Sequence, residues 1–275
     1  MEGLPEIVRM TSQQHRDEDV GQNDLFGGST MVSQDEKVTP HLEEWEDKYR
    51  LKLEKDALGL YMSGHPINAY EEEVEQLRSR TLKQMNDDDG REKYQKKPIT
   101  IVGLISSVGI RTTDRGKMAN IMLEDKTGYY EFRLFDKNIE TFEHLLIKDE
   151  LLVIEGTLNT IYGTNDVRFY ANQLHDIEGA RNEFLRSLNI KIDKSQTANG
   201  LLDKLDELLP NKLSNDASSD NPNSNAGHCP VFVSYETENE TARLRLGSDV
   251  SAPLADEGIK QLKKVLGEDR VNLIY

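Results

Sequence analysis

Closely spaced carboxylates are the residues of this 275-residue chain whose types first suggest metal or acid–base chemistry. Glu124-Asp125 is one pair, and Asp17-Glu18-Asp19, Glu71-Glu72-Glu73 and Asp87-Asp88-Asp89 are longer runs. Two-metal catalysis needs carboxylates that converge on a pair of cations. Neighbours on a strand point to opposite faces, so Glu124-Asp125 reads instead as part of a turn, and the longer runs read as solvated surface. Cys229 is the single cysteine and the six histidines form no ligand-like pair, which excludes an internal disulfide and a thiolate zinc site. No glycine-rich phosphate loop occurs. The expectation is no catalytic site, no metal and no cofactor.

What the residues do offer is recognition. Arg111, Arg115 and Lys117 are expected in the loop between the first two strands of a β-rich stretch, with Asn120 and Arg133 outward on the next two and Tyr129 and Tyr162 offering stacking faces. Cations of this kind contact phosphates, and tyrosine rings stack on unpaired bases. The same residues also read as ordinary surface charges and edge aromatics. A net charge of −16 excludes a protein that coats nucleic acid with its whole surface, so any such contact must be local. A second recognition element is Gln22-Asn23-Asp24-Leu25-Phe26, set between Gly21 and Gly27-Gly28 in a polar stretch. Leu25 and Phe26 have no local core to join and suit a partner's pocket, with Gln22 hydrogen-bonding at its rim. The plainer reading is a solvated linker with two stray hydrophobes.

The elements that must position these residues follow from periodicity. Residues 1–40 read as linker, rich in Gln, Asp, Ser and Gly. Trp45, Tyr49, Leu53, Ala57 and Leu60 recur at helical spacing, and the helix is expected to stop at Ser63-Gly64-His65-Pro66, with Gly64 as its left-handed cap. Pro66 opens a second helix with Ile67, Tyr70, Val74 and Leu77 on its apolar face. His65 helps to close the turn between them. Strands are expected over 99–108, 118–123 and 129–135, the last with Tyr130, Phe132 and Leu134 on one face and Tyr129, Glu131 and Arg133 on the other, then a helix over about 137–146 and strands over 151–158 and 167–174. Three strands, a helix and two strands is the order of an OB-fold, whose second and third strands commonly bind single-stranded nucleic acid. Beyond Gly179 come helices at about 180–188 and 201–209, a strand over 189–192, a low-complexity loop over 214–227 expected to be disordered, and a hairpin over 231–235 and 242–246. A helix through Ile259, Leu262, Val265 and Leu266 and the tail Arg270–Tyr275 complete the chain. Leu273, Ile274 and Tyr275 either complete the last sheet or stand as an exposed end for a partner. His228-Cys229-Pro230 leads into a strand.

The run Leu58-Gly59-Leu60-Tyr61-Met62-Ser63-Gly64-His65-Pro66, preceded by Glu54-Lys55-Asp56, resembles the segment before the OB domain of the bacterial DNA polymerase III alpha subunit. The resemblance continues through Gly103-Leu104, Leu123–Gly128 and Ile154-Glu155-Gly156. It implies that Gln22, Asp24, Leu25 and Phe26 are the family's internal peptide for the ring-shaped sliding clamp. It also implies that Arg111, Arg115, Lys117, Asn120, Tyr129, Arg133 and Tyr162 face single-stranded DNA, and that the last domain resembles the one that binds the clamp-loader tau subunit. The family's polymerase carboxylates lie upstream of everything present here, so the chain is expected not to polymerise DNA alone, as a truncated product or a fragment of a longer reading frame.

The expected architecture is α+β and multidomain: a linker over 1–40, a helical segment over 41–85, an OB-fold β-barrel over 97–178 and a small α/β domain over 180–275. The expected partners are the sliding clamp, tau and single-stranded DNA, with no membrane and a cytoplasmic location. The alternative is a free-standing OB-fold protein that binds single-stranded nucleic acid.

Overall fold

The computed structural model describes residues 44–87, 96–114, 116–161, 167–193, 201–209, 229–237 and 240–275. The chain forms two compact units, Met1–Ser63 and Gly64–Tyr275. The first contains helix α1, Asp47–Leu58. It stops earlier than the spacing predicts. Gly59, not Gly64, takes the left-handed cap conformation, at φ 77°, and donates its N–H to the Lys55 carbonyl. A side chain at that φ would be strained, which is why a glycine ends the helix there. The loop beyond is held by Glu54, whose carboxylate accepts from the Met62 and Ser63 amides at 3.0 Å each. Bonds from the Ser63 side chain and from these amides hold the Glu54 carboxyl below the usual carboxylate range. Trp45, Tyr49, Leu58, Leu60 and Met62 remain exposed, and Leu51 is the buried residue of α1.

In the second unit Pro66 starts a 3₁₀ turn, Pro66–Tyr70, and His65 Nδ1 accepts from the Ile67 amide at 3.3 Å. Helix α2, Glu71–Leu77, follows directly. Helix α3, Leu82–Asn86, was not expected from the sequence. A capping box starts it: Thr81 accepts from the Gln84 amide, and Gln84 returns the bond to the Thr81 amide. So short a helix persists because Leu82 and Met85 are fully buried in the barrel core.

The barrel consists of β1 (Pro98–Thr113), β2 (Gly116–Asp125), β3 (Gly128–Phe135), β4 (Leu151–Thr160) and β5 (Val167–His175). Helix α4, Lys137–Phe142, lies between β3 and β4 and is shorter than expected, ending in a 3₁₀ turn, Glu143–Leu145. All neighbouring strands are antiparallel, in the order β3-β2-β1-β4-β5. Because β4 returns to pair with β1, this is the partly open five-stranded Greek-key arrangement of an OB-fold, with its gap at the β3/β5 seam. Across the seam Tyr130 and Phe169 meet edge to face, 6.2 Å apart. Alternation places Ile99, Ile101, Ile121, Leu123, Phe132, Leu134, Ile154 and Phe169 in one core, stoppered by Ile139 and Phe142 of α4. Gly156 lets β5 pass close, since a Cβ there would lie 2.4 Å from the Phe169 ring and from the Tyr170 carbonyl.

Asp125 explains the carboxylate pair. At the end of β2 its Oδ2 accepts from the Leu82 amide at 3.0 Å, and its Oδ1 accepts from the Thr127 amide, the Thr127 hydroxyl and the Gly128 amide at 2.6–2.9 Å. One buried carboxylate thus forms the β2–β3 turn and fixes the start of α3. Glu124 instead faces His65, 3.9 Å from Nε2.

Helix α5, Ile177–Phe184, leaves the barrel three residues earlier than expected and ends before strand β6, Ser187–Asp193. Leu188 therefore belongs to the strand. Helix α6 (Leu201–Leu208), β7 (Val231–Glu236), β8 (Thr241–Arg245), α7 (Asp256–Leu266) and β9 (Val271–Ile274) complete a second layer pair. The sheet order is β8-β7-β6-β9, with β6 and β7 parallel and the other neighbours antiparallel. Leu201 and Leu205 of α6 and Ile259, Leu262 and Leu266 of α7 cover one face of this sheet, over Leu188, Ile190, Val231, Val271 and Leu273. The tail completes the sheet rather than standing free: β9 pairs with β6, and Leu273 is buried.

A buried ionic cluster joins α2, α5 and α7. Arg181 is 1% exposed and grips Glu73 with Nε and Nη2 at 2.8 and 2.7 Å, donates to Asp256 at 3.0 Å and to the Leu254 carbonyl at 3.2 Å. Tyr275 donates its hydroxyl to Glu73, and Tyr70 donates to Asp256 at 2.9 Å. Burial works against charge on Asp256, but bonds from Lys260, Tyr70 and Arg181 prevail and hold its carboxyl below the ordinary value. A folded pKa below the unfolded one gives stability that is full above the unfolded value, about 4, and is lost as pH falls through the folded value. Urea midpoints of the whole chain are therefore expected to fall more steeply below about pH 4 than those of Asp256→Asn, which loses this dependence. Parallel curves for the two proteins would contradict the assignment.

Candidate nucleic-acid interface

Period-2 alternation gives β2 and β3 a core face and an outer face. Cross-strand pairing aligns the outer face in rows: Arg111 with Met118 and Phe135, Gly109 with Asn120 and Arg133, Met122 with Glu131, and Glu124 with Tyr129. Strand spacing puts Arg111 and the Phe135 backbone about 10 Å apart, on either side of Met118. Tyr129 is 55% exposed and Phe135 42%. Two rings and two guanidinium groups thus share one outer surface, which can take unpaired bases on its rings and phosphates on its cations.

Arg111 and Lys117 do not sit in a loop as expected. The strands run on to Thr113 and restart at Gly116, so both residues lie on strand ends. Strand pairing stiffens them, and the Lys117 amide donates to Asp136 at 2.8 Å while the Lys117 carbonyl accepts from the Asp136 amide. Lys117 has core-face parity but is exposed, and it lines a recess at the strand ends together with Thr113, Asp114, Gly116, Met118 and Phe135. Arg111 makes no ion pair among the described residues, whereas Arg133 lies 3.5 Å from Glu131. Both partners of that pair are about 40% exposed, so it offsets little of the Arg133 charge. Asn120 is half-buried between Gly109 and Arg133, and its Oδ1 is buried without a hydrogen-bond partner among the described residues.

Sequence reading missed Phe135 and Met118. The signal was present: Tyr129, Glu131 and Arg133 alternate, and Phe135 is the next residue on that face. Arg115, Tyr162 and the peptide Gln22, Asp24, Leu25 and Phe26 lie outside the described residues. His65 closes the turn as expected. Cys229 is buried and burial pushes its thiol up to about 11, so it is mostly un-ionised at neutral pH. Among the described residues no group of three or more His, Cys, Asp or Glu is placed to hold a metal, and no helix is long and apolar enough to cross a membrane.

Residues 221–267 match the family "DNA polymerase III subunit alpha, C-terminal domain". Over its whole length the chain is 30% identical to DNA polymerase III subunit alpha of Vibrio cholerae and 28% identical to that of Escherichia coli K12. Over 99% of its length it is 30% identical to the Pseudomonas aeruginosa protein. The chain spans 22% of the length of each of these relatives. Similar solved structures include the second OB-fold domain of replication protein A from Methanococcus maripaludis, at 17% identity and TM-score 0.24, covering 30% of this chain and 87% of that one. A small single-stranded DNA-binding protein from Streptomyces coelicolor follows at 11% identity and TM-score 0.20, covering 29% and 92%.

Proposed function

We propose, for a chain that resembles the C-terminal region of bacterial DNA polymerase III subunit alpha along its whole length, that it couples a replicative polymerase to its template, its sliding clamp and its clamp loader. The observation that carries the template contact is the outer face of β2 and β3, where Arg111, Arg133, Tyr129 and Phe135 share one surface with Lys117 at its end. Cations there hold phosphates, and the rings accept bases without reading sequence. The net charge of −16 makes this a weak site, effective when a polymerase body and a clamp hold the same strand nearby. Gln22, Asp24, Leu25 and Phe26 supply the clamp anchor, and residues 180–275 supply the face for the tau subunit; whole-length similarity to the alpha subunit supports both. DNA synthesis belongs to the polymerase of which this region is a part, and the cytoplasm is where it works.

Neutralising Arg111, Lys117 and Arg133 together as glutamines is expected to weaken binding to a fluorescent oligo-dT about tenfold. The slope of log K against log salt should fall by about 2, because each single-strand phosphate contact contributes about 0.7. Anisotropy titrations at several salt concentrations measure both quantities. Unchanged affinity and slope would remove the barrel face from the proposal.

A further inference from the structure

Strand β8 is the outer edge of the last sheet, and all five of its residues are exposed. The Leu246 amide bonds to the Val231 carbonyl and the Thr237 amide to the Glu240 carbonyl, each at 2.9 Å. In an antiparallel ladder bonded pairs alternate. Ala242 and Leu244 therefore spend their backbone groups on β7, while those of Thr241, Arg243 and Arg245 point away from it and meet no backbone partner among the described residues. The side chains of Arg243 and Arg245 stand on one face, where Lys191 lies two strands inward of Arg243. None of the three makes an ion pair among the described residues, in a chain whose net charge is −16. On the opposite face Leu244 is 59% exposed.

We infer that the β8 edge is a binding site for an extended acidic peptide, which adds as a further strand with carboxylates opposite Arg243 and Arg245 and an apolar residue beside Leu244. Backbone pairing would supply affinity and the arginines would set charge and register, because cross-strand opposite charges attract and like charges repel. Glu236, paired with Thr241, closes the acidic register at one end. A nucleic acid fits this edge less well. It cannot use the unpaired amides and carbonyls as a strand does, and the Phe232 ring is already covered by Arg243, 4.3 Å from its centroid. Arginines also serve to keep edge strands from pairing, and that role alone predicts no binding. The β8 edge lies within the domain proposed to face tau, but the inference rests on its strand geometry and charge and not on that reading.

The test uses the whole chain, a labelled short peptide alternating valine and glutamate, and its valine and lysine counterpart. The glutamate peptide is expected to bind at least about tenfold more tightly than the lysine one. It should also slow hydrogen exchange of the Thr241, Arg243 and Arg245 amides at least about tenfold. Arg243→Glu with Arg245→Glu should reverse the peptide preference. Thr241→Pro removes one outward donor without touching the β7 ladder, and should weaken binding while leaving the urea midpoint unchanged. Binding without slowed exchange at these amides would overturn strand addition. Protection that rises with protein concentration in the absence of peptide would assign the edge to a second copy of the chain, and oligo-dT that displaces the peptide with no amide protection would assign the arginines to nucleic acid. Either result overturns the inference.

Discussion

Arg181→Ala is expected to destabilise the chain by about 3–5 kcal/mol, since it strands a buried charge and opens a cavity. Glu73 is 3% exposed and has Arg181 on both of its oxygens. Without the guanidinium, its carboxylate would keep, among the described residues, the Tyr275 hydroxyl alone, and α2 would lose its tie to α5. Gln76 donates to the Leu273 carbonyl at 2.8 Å and accepts from the Tyr275 amide at 3.2 Å, so loosening α2 reaches β9 directly. A pair of methionines at positions 73 and 181 would remove both charges while filling the space, and most of the lost stability should return, because well-packed apolar replacement of a buried ion pair is often neutral. Urea unfolding of the single and double variants measures this. A loss under about 1 kcal/mol for Arg181→Ala would show that the cluster is not what holds these three helices together.

Leu25→Ala with Phe26→Ala is expected to weaken binding to the purified sliding clamp by at least about 100-fold, equivalent to about 2.8 kcal/mol. A short peptide concentrates its energy in the few side chains that enter the partner's pocket. On the proposed reading Gln22 and Asp24 would make only polar contacts at the pocket rim, so Gln22→Ala should cost less than the double change. Isothermal titration calorimetry of the parent and variant chains decides the matter: equal affinities would place any clamp contact elsewhere in the chain.

Local patterns in the sequence were enough to place the strands and their faces. Alternation from Tyr129 to Phe135 identified both sides of β3, because one side is packed in a core and the other is wet. Extending the alternation by one step would have found Phe135. Strand ends were less legible: pairing carries β1 to Thr113 and β2 back to Gly116, and converts a presumed loop bearing Arg111 and Lys117 into ladder. Gly59 and Gly64 were both fit to cap α1 by type, and only the loop bonds to Glu54 distinguish them. Helix α3 carried its capping box in plain view, but five residues are too few for periodicity to register. The buried roles of Asp125 and Arg181 depend on partners far along the chain, with Glu73 and Arg181 separated by 108 positions, so no local pattern announces them.

The measurement closest to the central claim is hydrogen exchange of the whole chain with and without a saturating oligo-dT. The coupling account predicts slowed exchange confined to the outer face of the barrel, across residues 117–122 and 129–135, and its loss when Tyr129 and Phe135 are both alanine. Protection elsewhere with β2 and β3 unaffected, or none at any oligonucleotide concentration, would contradict it.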